Sequence, residues 1–324
     1  MRNNIINKLF LGALTVSFIS CTSQYMDINS NPYQPGSLAD DDYALGSAMS
    51  NLAGCVVSSD VNTAQFTDCL LGGPCGGYFA DSKSAWAFTI SNFNPTDDWT
   101  RVFLKSDKVI PVLYSNLSTV KSVSEATNNP VPYAIAEIIK VVAMSRITDT
   151  YGPIPYSKIG ADGKITIPYD SQEDVYNKFF EELNQAIEIL TENSGSALVA
   201  TADYVYSGNV AKWIKFANSL KLRLAIRVAY ANKTLAQEMA ESAVKHEFGV
   251  IESNADNAKW NYFGTIPNPL YTAVRYNEET SGGDSHVAAD IVCYMNGYSD
   301  GRRAAYFEKS GWKDQEYVGL RRGI

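Results

Sequence analysis

From Ser171 to Leu190 the apolar residues Val175, Phe179, Leu183, Ala186, Ile187 and Leu190 recur at a spacing of three or four. That period puts them on one stripe of an α-helix, with the charged residues between them facing elsewhere. Gly208 to Ala231 repeats the pattern with Trp213, Phe216, Ala217, Leu220, Leu224 and Val228. A one-sided helix is stable only when another element covers its stripe. Two such helices, with Thr234 to about Glu247 as an antiparallel partner, commit the chain to helix-on-helix packing. Ser171 is an N-cap candidate, and Asp174 stands three residues on in a capping-box position.

The rest of the chain gives weaker signals of the same kind. Helices are expected over Tyr43–Val57, over Asp98 to about Val120 with a kink or break at Pro111, over Pro132 to about Arg146, and near Val287–Met295. Leu70–Asn94 is rich in glycine and aromatics and reads as loop with short helical pieces. Alternating strand patterns are scarce. The expected fold class is all-α, built of antiparallel helix pairs with long aromatic-rich loops.

The N-terminus is an address. Arg2 and Lys8 precede the apolar run Leu9–Ile19, which is too short to span a bilayer, and Ser20-Cys21 follows at once. Residues 1–20 are therefore expected to be a lipoprotein signal peptide. Cys21 is the expected lipidation site, since a small residue before a Cys resembles a lipobox. Residues 21–42, with Asn29-Ser30-Asn31-Pro32 and Pro35-Gly36, form a tether, and 43–324 the folded domain. An ordinary cleaved signal with a nearby Cys is the plainer alternative. Cys55, Cys69, Cys75 and Cys293 remain, and export permits disulfides. Cys69 and Cys75 are near enough in sequence to bridge, but buried free thiols are the simpler expectation.

A net charge of −8 without a Lys/Arg run argues against nucleic acid and anionic lipid surfaces. The unusual compositional feature is aromatic: 20 Tyr, 13 Phe and 5 Trp, which suit both helix packing and surfaces for polar ligands. Sugars present C–H faces that stack on rings, while Asn and Asp bond their hydroxyls. Tyr78, Phe79, Trp86, Phe93 and Trp99, beside Asn92, Asn94 and Asp97, are accordingly the ligand-binding candidates. The alternative is that these rings only pack the loop onto the core. Trp260-Asn261-Tyr262-Phe263 with Tyr271 and Tyr276 is a weaker second group.

Enzyme patterns are poor. His246 and His286 are too few for a histidine metal cluster. Ser285-His286 lacks a nucleophile elbow. Gly72 to Gly77 has P-loop glycine spacing, but Tyr78 stands where Lys is required. Asp27, Asn29 and Asn31 open like an EF-hand, but Pro32 stands where Gly is needed. A pair of glycosidase carboxylates is not excluded by counting. Lys212, Lys221, Arg223 and Arg227 fit a solvated face or buried ion pairs better than an anion site. Asp149, Tyr151 and Tyr156 fit a helix end capped by Gly152.

Several segments together carry a resemblance. They are Tyr25–Pro32 after Cys21, Thr148-Asp149-Thr150-Tyr151-Gly152-Pro153-Ile154-Pro155-Tyr156-Ser157, Tyr169–Tyr176, and Gly208-Asn209-Val210-Ala211-Lys212-Trp213 running on to Leu224. In this order they are similar to the SusD/RagB family of Bacteroidetes outer-membrane lipoproteins, in its SusD-like branch. The resemblance implies tetratricopeptide-like helix pairs and a lipid-anchored, cell-surface subunit lying as a lid on a SusC-like TonB-dependent transporter. It implies glycan or oligosaccharide ligands, with peptides in some branches, and neither cofactor nor catalysis. Family members are usually longer, so a C-terminal part is expected to be missing. A truncated, non-binding lipoprotein and a carbohydrate-active hydrolase are the alternatives. The acidic residues common after the lipidated Cys in surface lipoproteins come late here, since Thr22-Ser23-Gln24-Tyr25 precede Asp27.

Overall fold

A computed structural model describes residues 42–57, 60–81, 109–160, 166–196, 198, 200–260, 268–274, 285–311 and 316–322. Residues 1–41, which include the expected signal peptide, Cys21 and all but the last residue of the expected tether, lie outside the described residues. The scaffold is a run of antiparallel helices: α1 (Asp42–Gly54), α2 (Val61–Ala64), α3 (Val109–Ala126), α4 (Val131–Tyr151), α5 (Gln172–Glu192), α6 (Val210–Arg227) and α7 (Lys233–Lys245). Each of α3 to α6 packs on the next, α7 closes on α6, and α1 lies against α3. The all-α expectation holds. Among the described residues no helix is long and apolar enough to cross a membrane.

The capping signals act where the sequence places them. The Ser171 hydroxyl accepts from the Asp174 amide at 3.1 Å and donates back to the Asp174 carboxylate at 2.7 Å, so α5 starts one residue later. Asn209 and Asn232 start α6 and α7 in the same way, accepting from Lys212 N and Leu235 N. Gly152, at φ +77°, ends α4, which runs through Tyr151 and so extends past the expected Arg146.

Val61–Ala64 runs into a π-helical stretch, Gln65–Gly72, and a last turn at Gly73–Cys75, so the segment expected as loop with short helical pieces opens as helix over Leu70–Cys75. The wider π turn buries Phe66, Cys69, Leu70 and Leu71 against the core, a gain that a glycine-rich local pattern hides. Pro111 is the third described residue of α3, and the residues before Val109, over which the expected helix and its kink or break would extend, lie outside the described residues.

Before α6 the backbone is held by one carboxylate. Asp203 is buried and accepts from Val205 N, Tyr206 N, Gly208 N and the Trp213 indole at 2.8–3.1 Å. Trp213 packs edge-to-face on Tyr206 and Phe216, with ring centroids at 5.2 and 5.7 Å. Several lysines and arginines of α6 have structural partners. Lys215 pairs with Asp256, Arg227 pairs with Asp149 at 2.8 Å, and buried Lys221 donates to Asn184. Tyr156 is buried at the α4–α5 contact, and its hydroxyl donates to Glu182. No disulfide joins Cys55, Cys69, Cys75 and Cys293 to one another.

Away from the helix array, β1 (Phe79–Asp81) pairs antiparallel with β2 (Ser285–Val287), joining segments about two hundred residues apart. Helix α8 (Ala289–Gly297) and the short α9 (Arg303–Tyr306) follow.

Candidate functional site, a tyrosine-walled cleft

The β1–β2 pairing docks α8 against the turn that follows Cys75. Tyr78 O accepts from Ala288 N at 3.0 Å, and Gly77 O accepts from Ile291 N at 3.3 Å. Gly77 has φ +74°, and a β-carbon there would lie 3.1 Å from the Asp290 side chain, so this approach requires glycine. Residue 320 closes the arrangement. Leu320 N donates to Val287 O and Leu320 O accepts from Ala289 N.

Between these elements lies a cleft of about 660 Å³. Tyr78 stands on one wall. Tyr294 and Tyr298 stand on the α8 wall, one helical turn apart, and Tyr306 comes from α9. Their exposures run from 57% to 82%, so the rings present faces to solvent rather than to the core. The apolar face of α8 is buried through Val292 and Met295, which fixes the outward direction of both tyrosines.

Two ion pairs frame the rings. Arg322 meets the Asp290 carboxylate through Nε at 3.0 Å and Nη2 at 3.2 Å, and its Nη1 donates to the Pro74 carbonyl. Arg302 meets Asp300 through Nε at 3.0 Å, and its backbone N–H donates to the same carboxylate at 2.9 Å. The guanidinium bonds hold the Asp290 carboxyl below its ordinary range and the Asp300 carboxyl down to about 2. Burial pushes the Cys75 thiol up, with Arg322 opposing. Rings with apolar faces and phenolic tips, framed by carboxylates, can stack on C–H surfaces and bond hydroxyls at once.

Of the residues singled out in the sequence, Tyr78 lines this cleft. Phe79 is half-buried in β1 and packs over Gly73, whose lack of a side chain makes room for the ring. Trp86, Phe93, Trp99 and Cys21 lie outside the described residues. In the second group, Tyr271 is exposed and Trp260 approaches Gly54, while Tyr262, Phe263 and Tyr276 lie outside the described residues. Sequence reasoning missed Tyr294, Tyr298 and Tyr306. The available signal was the i, i+4 spacing of Tyr294 and Tyr298 on the face opposite Val292.

The fold and this cleft define a helix-pair scaffold carrying an aromatic surface site. A family model described as SusD-like, "Susd and RagB outer membrane lipoprotein", matches residues 27–324. The chain belongs to this family of outer-membrane lipoproteins. Among solved structures, a SusD homologue from Bacteroides uniformis is 76% identical, with a TM-score of 0.82, over 88% of this chain and 58% of that one. A SusD homologue from Bacteroides thetaiotaomicron is 38% identical, with a TM-score of 0.73, over 87% of this chain and 56% of that one. A chitin-binding SusD homologue from Flavobacterium johnsoniae is 31% identical, with a TM-score of 0.74, over 86% of this chain and 57% of that one. The chain thus spans less than two thirds of the length of these solved relatives. A search of curated protein sequences returns no match.

Proposed function

We propose that this protein is a glycan-binding subunit of an outer-membrane import system, anchored through Cys21, that captures oligosaccharide and hands it to a SusC-like TonB-dependent transporter. The observation that carries the binding reading is the cleft of about 660 Å³ walled by Tyr78, Tyr294, Tyr298 and Tyr306. Ligand sites of about 300–1,000 Å³ suit molecules the size of short oligosaccharides. Family membership and the chitin-binding relative support the same ligand class. Trp86, Phe93 and Trp99 are proposed to extend the aromatic surface. In this reading ligand is stacked and hydrogen-bonded without any bond being broken, so binding is not followed by turnover.

Titration of the full chain in detergent against a panel of oligosaccharides tests the binding step. Saturable binding, weakened at least tenfold by Tyr298→Ala and with the sugar recovered intact, is expected. Hydrolysis of the bound sugar overturns the non-enzymatic reading. The transporter step is tested by pull-down of tagged full chain from solubilised outer membranes. A TonB-dependent transporter in stoichiometric yield is expected, and bait alone overturns the partnership.

A further inference from the structure

Two arginines face the tyrosine cleft, and each is already paired with an aspartate carboxylate. Arg322 spends Nε and Nη2 on Asp290 and Nη1 on the Pro74 carbonyl, while Arg302 spends Nε and Nη2 on Asp300. The described lining contains no lysine, so its charges are two arginines and two aspartates, which cancel in pairs. Among the described lining residues, a carboxylate or sulfate entering here meets no cation that lacks a carboxylate partner. It must either displace an aspartate from a fork-shaped guanidinium contact or lie beside that aspartate's own negative charge. A neutral sugar meets neither obstacle. Its hydroxyls can still donate to the aspartate oxygens, and its C–H faces can still reach the rings.

We propose that this cleft selects uncharged oligosaccharides, with Asp290 and Asp300 as built-in counter-ions that deny Arg322 and Arg302 to uronates and sulfated sugars. The inference rests on the glycan-binding reading and adds a ligand class to it. A net charge of −8 on the chain works in the same direction, since it repels polyanions at a distance.

The test is a glycan array of neutral and acidic oligosaccharides matched in length, probed with the full chain, followed by titration of the strongest members of each class. The expected result is binding confined to neutral sugars and insensitive to salt, since no counter-charge is screened. In the second arm, Asp300→Asn frees Arg302, and affinity for oligogalacturonate or a chondroitin sulfate fragment is expected to rise at least fivefold. Acidic sugars bound as tightly as neutral ones by the unaltered chain overturn the selectivity and leave glycan binding standing. No rise in Asp300→Asn overturns the counter-ion role. An array without any binding overturns the glycan reading itself and the selectivity with it.

Discussion

The Asp203 carboxylate accepts the indole N–H of Trp213 at 2.8 Å, ten residues along the chain, with both side chains buried. The same carboxylate holds three backbone amides, so the turn into α6 and the anchor of its apolar face are one unit. Asp203→Ala leaves these donors without acceptors in the interior. Each buried orphan costs about 1–3 kcal/mol, and the expected loss is at least about 3 kcal/mol. Urea melts of the two proteins measure it. A loss under about 1 kcal/mol would show that water reaches the turn.

Glycine is required at position 208 for two reasons and at 152 for one. Both have positive φ, at +84° and +77°. A β-carbon at 208 would also overlap the Leu198 carbonyl, whereas at 152 nothing lies within 4 Å. Gly152→Ala should therefore cost about 1–2 kcal/mol of backbone strain, and Gly208→Ala clearly more. Thermal denaturation ranks them, and an equal shift in the two variants would refute the steric argument.

Glu182 sits at the α4–α5 contact with Lys140 at 3.0 Å and the Tyr156 hydroxyl as partners. Burial, the largest influence, raises its pKa against the pull of Lys140, and Glu137 adds to the rise. A raised carboxylate binds more protons folded than unfolded between its ordinary value of about 4.3 and the folded value. This group's contribution to stability therefore falls as pH rises through that window. Glu182→Gln keeps the volume and an acceptor, leaves Lys140 with Glu137, and should flatten the dependence. Chemical melts from pH 4 to 8 of both proteins give the comparison. A steeper slope in the variant would contradict the sign.

Lys221 is buried on α6 with Asn184 as its hydrogen-bond partner, and burial lowers its pKa. Desolvating an ammonium without a carboxylate is unfavourable. Lys221→Met, which keeps the stem's packing, should leave stability equal or raise it by about 1 kcal/mol. A loss beyond about 2 kcal/mol would mean that the Asn184 contact organises the α5–α6 interface.

The cleft tyrosines are exposed, so their removal should separate binding from folding. Tyr294→Ala and Tyr298→Ala are expected to stay within about 0.5 kcal/mol of the parent in stability. Oligosaccharide affinity should fall at least tenfold in each, as lost ring stacking predicts. Unchanged affinity in both would move the ligand site away from this cleft.

Much of the scaffold was legible because its signals are local. The stripe in Ser171–Leu190, the Ser171–Asp174 box and the Gly152 stop each depend on residues within a few positions of one another. Their physics, helical period and end-capping, is therefore written in the spacing itself. The π-helical turn at Gln65–Gly72 was not legible, because it is favoured by burying Cys69 and Leu70 against partners distant in sequence.

The cleft divides along the same line. Sequence alone marked Tyr78 as a chemically suitable ring, and it placed a helix near Val287–Met295, where α8 lies. Only the tertiary structure decided that Tyr78 faces Tyr294 and Tyr298. The β1–β2 pairing and the Arg322 contact with the Pro74 carbonyl bring those segments together across more than two hundred residues. Such pairing is selected by long-range hydrogen bonds and burial, which leave no period in the sequence to read.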